Sequence, residues 1–259
     1  MSCWQMLKFS LSKLVMEYIG TMFFMLFFLC GSNTLLLGLW ILNIFFWKIS
    51  GSHFNPAITF AYIFRKDENK MPWSLALAYM VSQTLGAYTG ALLINFFNFD
   101  LMQLVYLDDF IMRALCQELL GSFLYVFFFM ASTDSDEKKL FSADKVINCF
   151  ILAASFVGAR SIFFGQVGTI TSYGAVLNPA TALGICMSNL FNEGFKAWKA
   201  IYLYPTVPFA GSFLAVLFFE LVYKKTQAFL SGDHGGDDNS SNGSSGVHED
   251  NIIAGGEHD

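Results

Sequence analysis

The chain reads as an all-α membrane protein with six transmembrane helices and two re-entrant half-helices, arranged as an inverted repeat. Three observations predict this class: long stretches without charge, a tripeptide that occurs twice, and a carboxylate that opens a span in each half. Of 259 residues, 55% are apolar and 17% aromatic, while only 14% are charged, too few to cover a soluble surface. Residues 18–47, 71–99 and 161–192 carry no charge at all, and runs of that length match the hydrocarbon core of a bilayer. Such a body excludes nucleic-acid binding. Of the 20 acids, seven lie in residues 231–259 with no Lys or Arg among them, leaving 13 against 15 bases in the rest. This predicts a membrane-spanning domain over 1–230 and a disordered acidic tail over 231–259, because Gly, Ser, Asn and Asp cannot build a core.

Six spans are expected, at about 7–29, 35–49, 73–97, 111–131, 146–165 and 201–222. The first two are cramped: 30 uncharged residues would make one helix of about 45 Å, so a turn is placed at Gly31-Ser32-Asn33-Thr34. That leaves a second span of 15 residues, or about 22 Å. With the N-terminus inside, 11 Lys or Arg face the cytoplasm and three face outside, with Arg160 within a span; the positive-inside rule then puts both termini in the cytoplasm. The acceptors Asn239 and Asn242 sit in the tail and should stay unglycosylated. Cys3, Cys30, Cys116, Cys149 and Cys186 show no paired spacing and read as packing residues.

Asn55-Pro56-Ala57 and Asn178-Pro179-Ala180 are the repeated tripeptide. Each has the chemistry of a helix start, with Asn as N-cap and Pro at the first helical position, followed by short apolar runs at 58–64 and 181–190. Ten residues rise about 15 Å, half a bilayer. A helix end at that depth is tolerated only inside protein or beside a water-filled cavity. The segments Glu17-Tyr18-Ile19-Gly20-Thr21 and Glu118-Leu119-Leu120-Gly121-Ser122 open the two halves, about 1–110 and 111–230. Three spans per half make the repeats inverted, so the half-helices enter from opposite faces and meet near the midplane.

Taken with Ser50-Gly51-Ser52-His53-Phe54-Asn55-Pro56-Ala57, Tyr79-x-x-x-Gln83-x-x-Gly86-Ala87-x-x-Gly90-Ala91, Gly174-Ala175-x-x-Asn178-Pro179-Ala180 and Pro208-x-x-Gly211, these residues resemble the aquaporin, or major intrinsic protein, family. The likeness covers residues 13 to about 222. It implies a passive channel for water and small neutral solutes, without cofactor, metal or catalysis, in a homotetramer within the lipid bilayer. Asn55, Pro56, Ala57, Asn178, Pro179 and Ala180 would line the pore, each Asn capping its own helix and pointing its amide NH2 into the lumen. The facing helix N-termini would oppose cations and protons. Glu17 and Glu118 are expected to accept from backbone N–H groups of the re-entrant loops, the alternative being a proton relay. His53 falls where similar channels line the cytoplasmic vestibule, either as a gate or as a hydrogen-bonded loop residue. Gly86, Gly90, Gly121 and Gly211 read as close helix contacts.

One departure from the family pattern is serious. Where most of these channels place Arg after the second Asn-Pro-Ala, this chain has Thr181, and counting from the motifs puts the other constriction positions at Leu35, Gln166 and Ala175. None is charged, which predicts a wider filter that admits small polyols, urea or ammonia alongside water. Arg160 either supplies the missing guanidinium from the fifth span, snorkels to the outer surface, or pairs with Asp108 or Asp109. Ala175 stands where mercury-sensitive relatives carry Cys, leaving Cys186 as the next thiol target. A solute-preferring channel, a non-conducting structural protein and an ion-coupled transporter remain as alternatives to a water channel.

Overall fold

A computed structural model describes residues 3–97, 111–134, 144–162, 175–199 and 201–230. Helix α1 (Cys3–Cys30) gives way to α2 (Ser32–Ser50) through the single residue Gly31, whose φ of 115° is open to glycine at no steric cost. The break therefore needs one residue where the sequence suggested four. As a result α2 has 19 residues, about 28 Å, enough to cross.

The half-helix α3 (Pro56–Ile63) is followed by α4 (Trp73–Phe96), then α5 (Ile111–Ser132), α6 (Lys145–Arg160) and the second half-helix α7 (Pro179–Glu193), which tightens into a 3₁₀ turn. Helix α8 (Val207–Phe218) runs through one π turn, Phe219–Tyr223, into α9 (Lys224–Leu230). Among the described residues four helical stretches are long and apolar enough to cross a membrane, Ser10–Cys30, Trp73–Phe96, Ile111–Ser132 and Val207–Leu230; α2 and α6 complete the six long elements.

Two boundaries differ from the sequence expectation. Helix α6 stops at Arg160 rather than 165, closed by Ser161 N–H donating to the Gly158 carbonyl at 3.1 Å. The last span begins at Val207 rather than 201, because Pro205 has no N–H to offer a helix interior, whereas Pro208 falls in the first turn of α8, where none is needed. The tail, Gln166, Asp108 and Asp109 lie outside the described residues.

The two halves pack alike. Helix α1 crosses α4 and α5 crosses α8, while α3 rests on α8 and α7 rests on α4, so each half-helix is seated on a helix of the other half. Small residues make the crossings close. A methyl group on Gly90 would stand 2.6 Å from the Met22 carbonyl oxygen, and one on Gly211 2.5 Å from that of Leu119. Between the halves lies an aromatic core in which Phe24 meets Phe156 edge-on at 5.3 Å and Phe156 meets Tyr125 at 4.9 Å.

Candidate pore

Each half-helix starts as its sequence requires. Asn55 Oδ1 accepts from Ala57 N–H at 2.8 Å, and Asn178 Oδ1 accepts from Ala180 and Thr181 N–H at 3.0 and 3.4 Å. The residue before each Asn, Phe54 or Leu177, sits in the left-handed region at φ 46° and 55°. That conformation is unfavourable by about 1–2 kcal/mol for a side-chain-bearing residue, so neighbours must hold it.

The holding groups are the two buried carboxylates. Glu17 on α1 accepts from His53 and Phe54 N–H at 3.1 and 2.8 Å; Glu118 on α5 accepts from Val176 and Leu177 N–H at 2.6 and 2.8 Å. Both are buried, at 0% and 1% exposure, and a carboxylate in that setting is tolerated because both oxygens are engaged. Gln83 on α4 adds a third donor to Glu17 at 2.8 Å and also donates to Thr59 Oγ1 at 2.9 Å.

Where the half-helices meet, their amides cross. Asn55 Nδ2 donates to the Leu177 carbonyl and Asn178 Nδ2 to the Phe54 carbonyl, both at 2.9 Å. The expectation that each NH2 is free to point into the lumen is corrected here: each amide nitrogen donates one hydrogen to the opposite loop. The left-handed turns at Phe54 and Leu177 are what aim those carbonyls across the junction.

At one end of this junction a cavity of about 380 Å³ is lined by Trp47, His53, Tyr62, Asn69, Thr133 and Cys149, among others. His53 is buried there, with Nδ1 3.1 Å from Thr59 Oγ1 and its ring packed on Tyr62, Tyr79 and Phe129. It is a partnered loop histidine on the cavity wall.

Leu35, Ala175 and Thr181 are buried at 0%, 3% and 0% exposure. Leu35 and Ala175 belong to one apolar cluster with Phe28. Ala175 N–H donates to the Arg160 carbonyl at 3.0 Å, which places α6 beside the loop. Arg160 does not snorkel outward: it is 4% exposed, with Cζ 4.2 Å over the centre of the Phe28 ring. Cys186 is fully buried on α7.

Sequence reasoning missed three features. Gln83 was visible only as part of a motif, and the carbonyls of Phe54 and Leu177 have no side-chain signal at all. Arg65, counted only among the 11 cytoplasmic Lys or Arg, is 0% exposed; it grips Asp67 at 2.6 Å, donates to Thr133 Oγ1 at 2.9 Å and packs on the Tyr62 and Phe219 rings. Its signal was Asp67 two residues on. Asp67 also receives Lys224 at 2.9 Å, so the loop after α3 is joined to α9.

Comparison with known proteins places this geometry. The model of the family described as major intrinsic protein matches residues 4–219 and 107–249. Aquaporin PIP1-2 of Musa acuminata subsp. malaccensis is 31% identical over 183 residues, covering 68% of this chain and 60% of that protein. Probable aquaporin PIP1-2 of Oryza sativa subsp. japonica is 30% identical, covering 68% and 59%. The chain thus spans about 60% of the length of these relatives. Among solved structures, the aquaglyceroporin from Plasmodium falciparum shares the fold at a TM-score of 0.63 and 18% identity, covering 85% of this chain and 99% of that one.

Proposed function

We propose, from the premise that this chain belongs to the major intrinsic protein family, that it is a passive transmembrane channel for water and small neutral solutes. The observation that carries the reading is the crossed pair of Asn amides at the junction of two half-helices, with a cavity leading to it past His53. Two helix N-termini facing one another concentrate positive potential at that junction, and the second N–H of each Asn offers a donor to a passing oxygen. A water accepting from both turns its hydrogens apart and cannot relay a proton.

Several features of this reading go beyond the family. Asn55, Pro56, Ala57, Asn178, Pro179 and Ala180 form the narrow centre. Glu17 and Glu118 support the loops rather than relay protons, since their oxygens already accept from backbone N–H groups. The outer constriction contains Leu35, Ala175 and Thr181. Thr181 and Ala175 are small, which favours passage of glycerol or urea beside water. Both termini lie in the cytoplasm, four copies assemble with one pore each, and the reaction class is transport, not catalysis.

Stopped-flow shrinkage of proteoliposomes tests this. Water flux well above that of empty liposomes, with glycerol and urea entering at measurable rates and low activation energy, is the expected result. Saturable, gradient-coupled uptake would replace the channel by a transporter, and flux equal to that of empty liposomes would leave a structural protein.

A further inference from the structure

We infer that the acidic segment 231–259 docks back over the mouth of the cavity beside His53, held by Lys48, Lys70 and Lys145, and slows passage while it is there. The inference rests on the channel reading above and goes beyond it: the chain carries its own plug, bound by charge.

The mouth is the first ground. The cavity runs inward from the surface, since exposed Lys145 lines it together with Cys149 and His53, which are 5% and 4% exposed. Its other walls come from α2 through Trp47, from the loop after α3 through Asn69, and from the end of α5 through Thr133. Three of these four elements set an exposed lysine at the rim: Lys145 lines the cavity itself, Lys48 follows Trp47, and Lys70 follows Asn69. None of the three makes an ion pair among the described residues.

The acids on the same side are the second ground, because they are already engaged. Asp67 holds Arg65 and Lys224 at 2.6 and 2.9 Å, and buried Asp134 lies 3.9 Å from Arg65. Glu220 accepts from Lys66 N–H at 3.3 Å and lies 3.7 Å from Lys224, while Asp144 caps α6 by accepting from Val146 N–H at 2.7 Å. Among the described residues of these elements, Glu68 is left as the one free carboxylate against three free lysines. The stretch between Asp134 and Asp144 adds Asp136 and Glu137 against Lys138 and Lys139, which leaves the balance unchanged. A rim of net positive charge attracts an anionic chain, and salt weakens that attraction.

The third ground is where the acidic segment is rooted. Lys224 opens α9 with its Nζ 2.9 Å from Asp67, two residues before Asn69 on the cavity wall. Helix α9 ends seven residues on, at Leu230, a rise of about 10 Å. Residues 231–259 then carry seven carboxylates and no Lys or Arg, the first three at Asp233, Asp237 and Asp238. The eight residues from Leu230 to Asp238 reach up to about 28 Å when extended, more than the return along α9. Because the tether makes the contact intramolecular, at an effective concentration on the order of millimolar, several weak surface pairs suffice to hold it.

The test uses the full-length protein and reads contact and flux separately. In lipid nanodiscs a water-soluble carbodiimide joins a carboxylate to a touching lysine with loss of water, and mass spectrometry maps the links. Carboxylates of 231–259 should link to Lys48, Lys70 or Lys145, with the yield falling at least about five-fold in 1 M salt, where the screening length is about 3 Å. In proteoliposomes, replacing the seven acids of the segment by Asn or Gln should raise water flux at least about three-fold. Lys48→Gln, Lys70→Gln and Lys145→Gln together should do the same, and combining both sets should add nothing, since each removes the same contact. Links confined to Lys224 and Lys225 beside the root, or unchanged flux in both variants of a conducting protein, would overturn the inference alone. If neither wild type nor variants exceed empty liposomes, the channel reading fails and the plug with it, while the cross-links still report whether the segment touches the rim.

Discussion

Asn55 and Asn178 stand 123 residues apart, yet each donates to the carbonyl that immediately precedes the other. The pair forms a two-fold clasp in which every partner doubles as a structural element: the amide oxygens cap the helices and the amide nitrogens tie the loops.

The clasp can be separated from the cap. In Asn178→Asp the carboxylate still accepts from Ala180 and Thr181 N–H but cannot donate to the Phe54 carbonyl. We expect a loss of about 1–3 kcal/mol for the orphaned carbonyl, a lower thermal midpoint in detergent, unchanged helix content by circular dichroism and several-fold slower water flux in liposomes.

Helix crossings should tolerate substitution at some glycines and not others. Gly211→Val brings a branched side chain against the Leu119 carbonyl, which is backbone and cannot yield, so folded protein should be lost on size exclusion. Gly158→Ala meets nothing within 4 Å and should raise the thermal midpoint by a helix-propensity gain of up to about 1 kcal/mol.

The ion cluster after α3 predicts acid sensitivity. Burial works against ionisation of Asp67, but the hydrogen bonds and charges of Arg65 and Lys224 outweigh it and hold the carboxyl down from 3.8 to about 2. A depressed folded value means that its stabilisation is complete above the unfolded value and is lost as pH falls from about 3.8 through 2. Thermal midpoints across that window should fall more steeply in wild type than in Asp67→Asn; equal slopes would remove Asp67 as the cause.

Thiol block should come from the cavity wall. Cys149 lines the cavity while Cys186 is fully buried on α7, which replaces the Cys186 expectation. A small methanethiosulfonate reagent should slow flux in wild type and in Cys186→Ser, and leave Cys149→Ser unaffected.

The half-helices, their caps and the carboxylate at the start of each half were legible in the sequence because their causes are local: an Asn bonds N–H groups two or three residues on, Pro suits a first turn, and an uncharged run of 20 residues has few places to go but a membrane. Small residues at Gly90 and Gly211 announced close contacts without saying with what. Only the tertiary structure decided the rest, since it depends on groups brought together from far along the chain. The carbonyls of Phe54 and Leu177 became acceptors because left-handed turns, held by Glu17 and Glu118, aim them across the junction. Arg65 became a buried hub through Asp67, Thr133 and the Phe219 ring. Arg160, a costly charge in an apolar run, has three sequence readings, and its burial against the Phe28 ring removes the one in which it snorkels outward: a ring contact is settled by packing, which one-dimensional spacing does not contain.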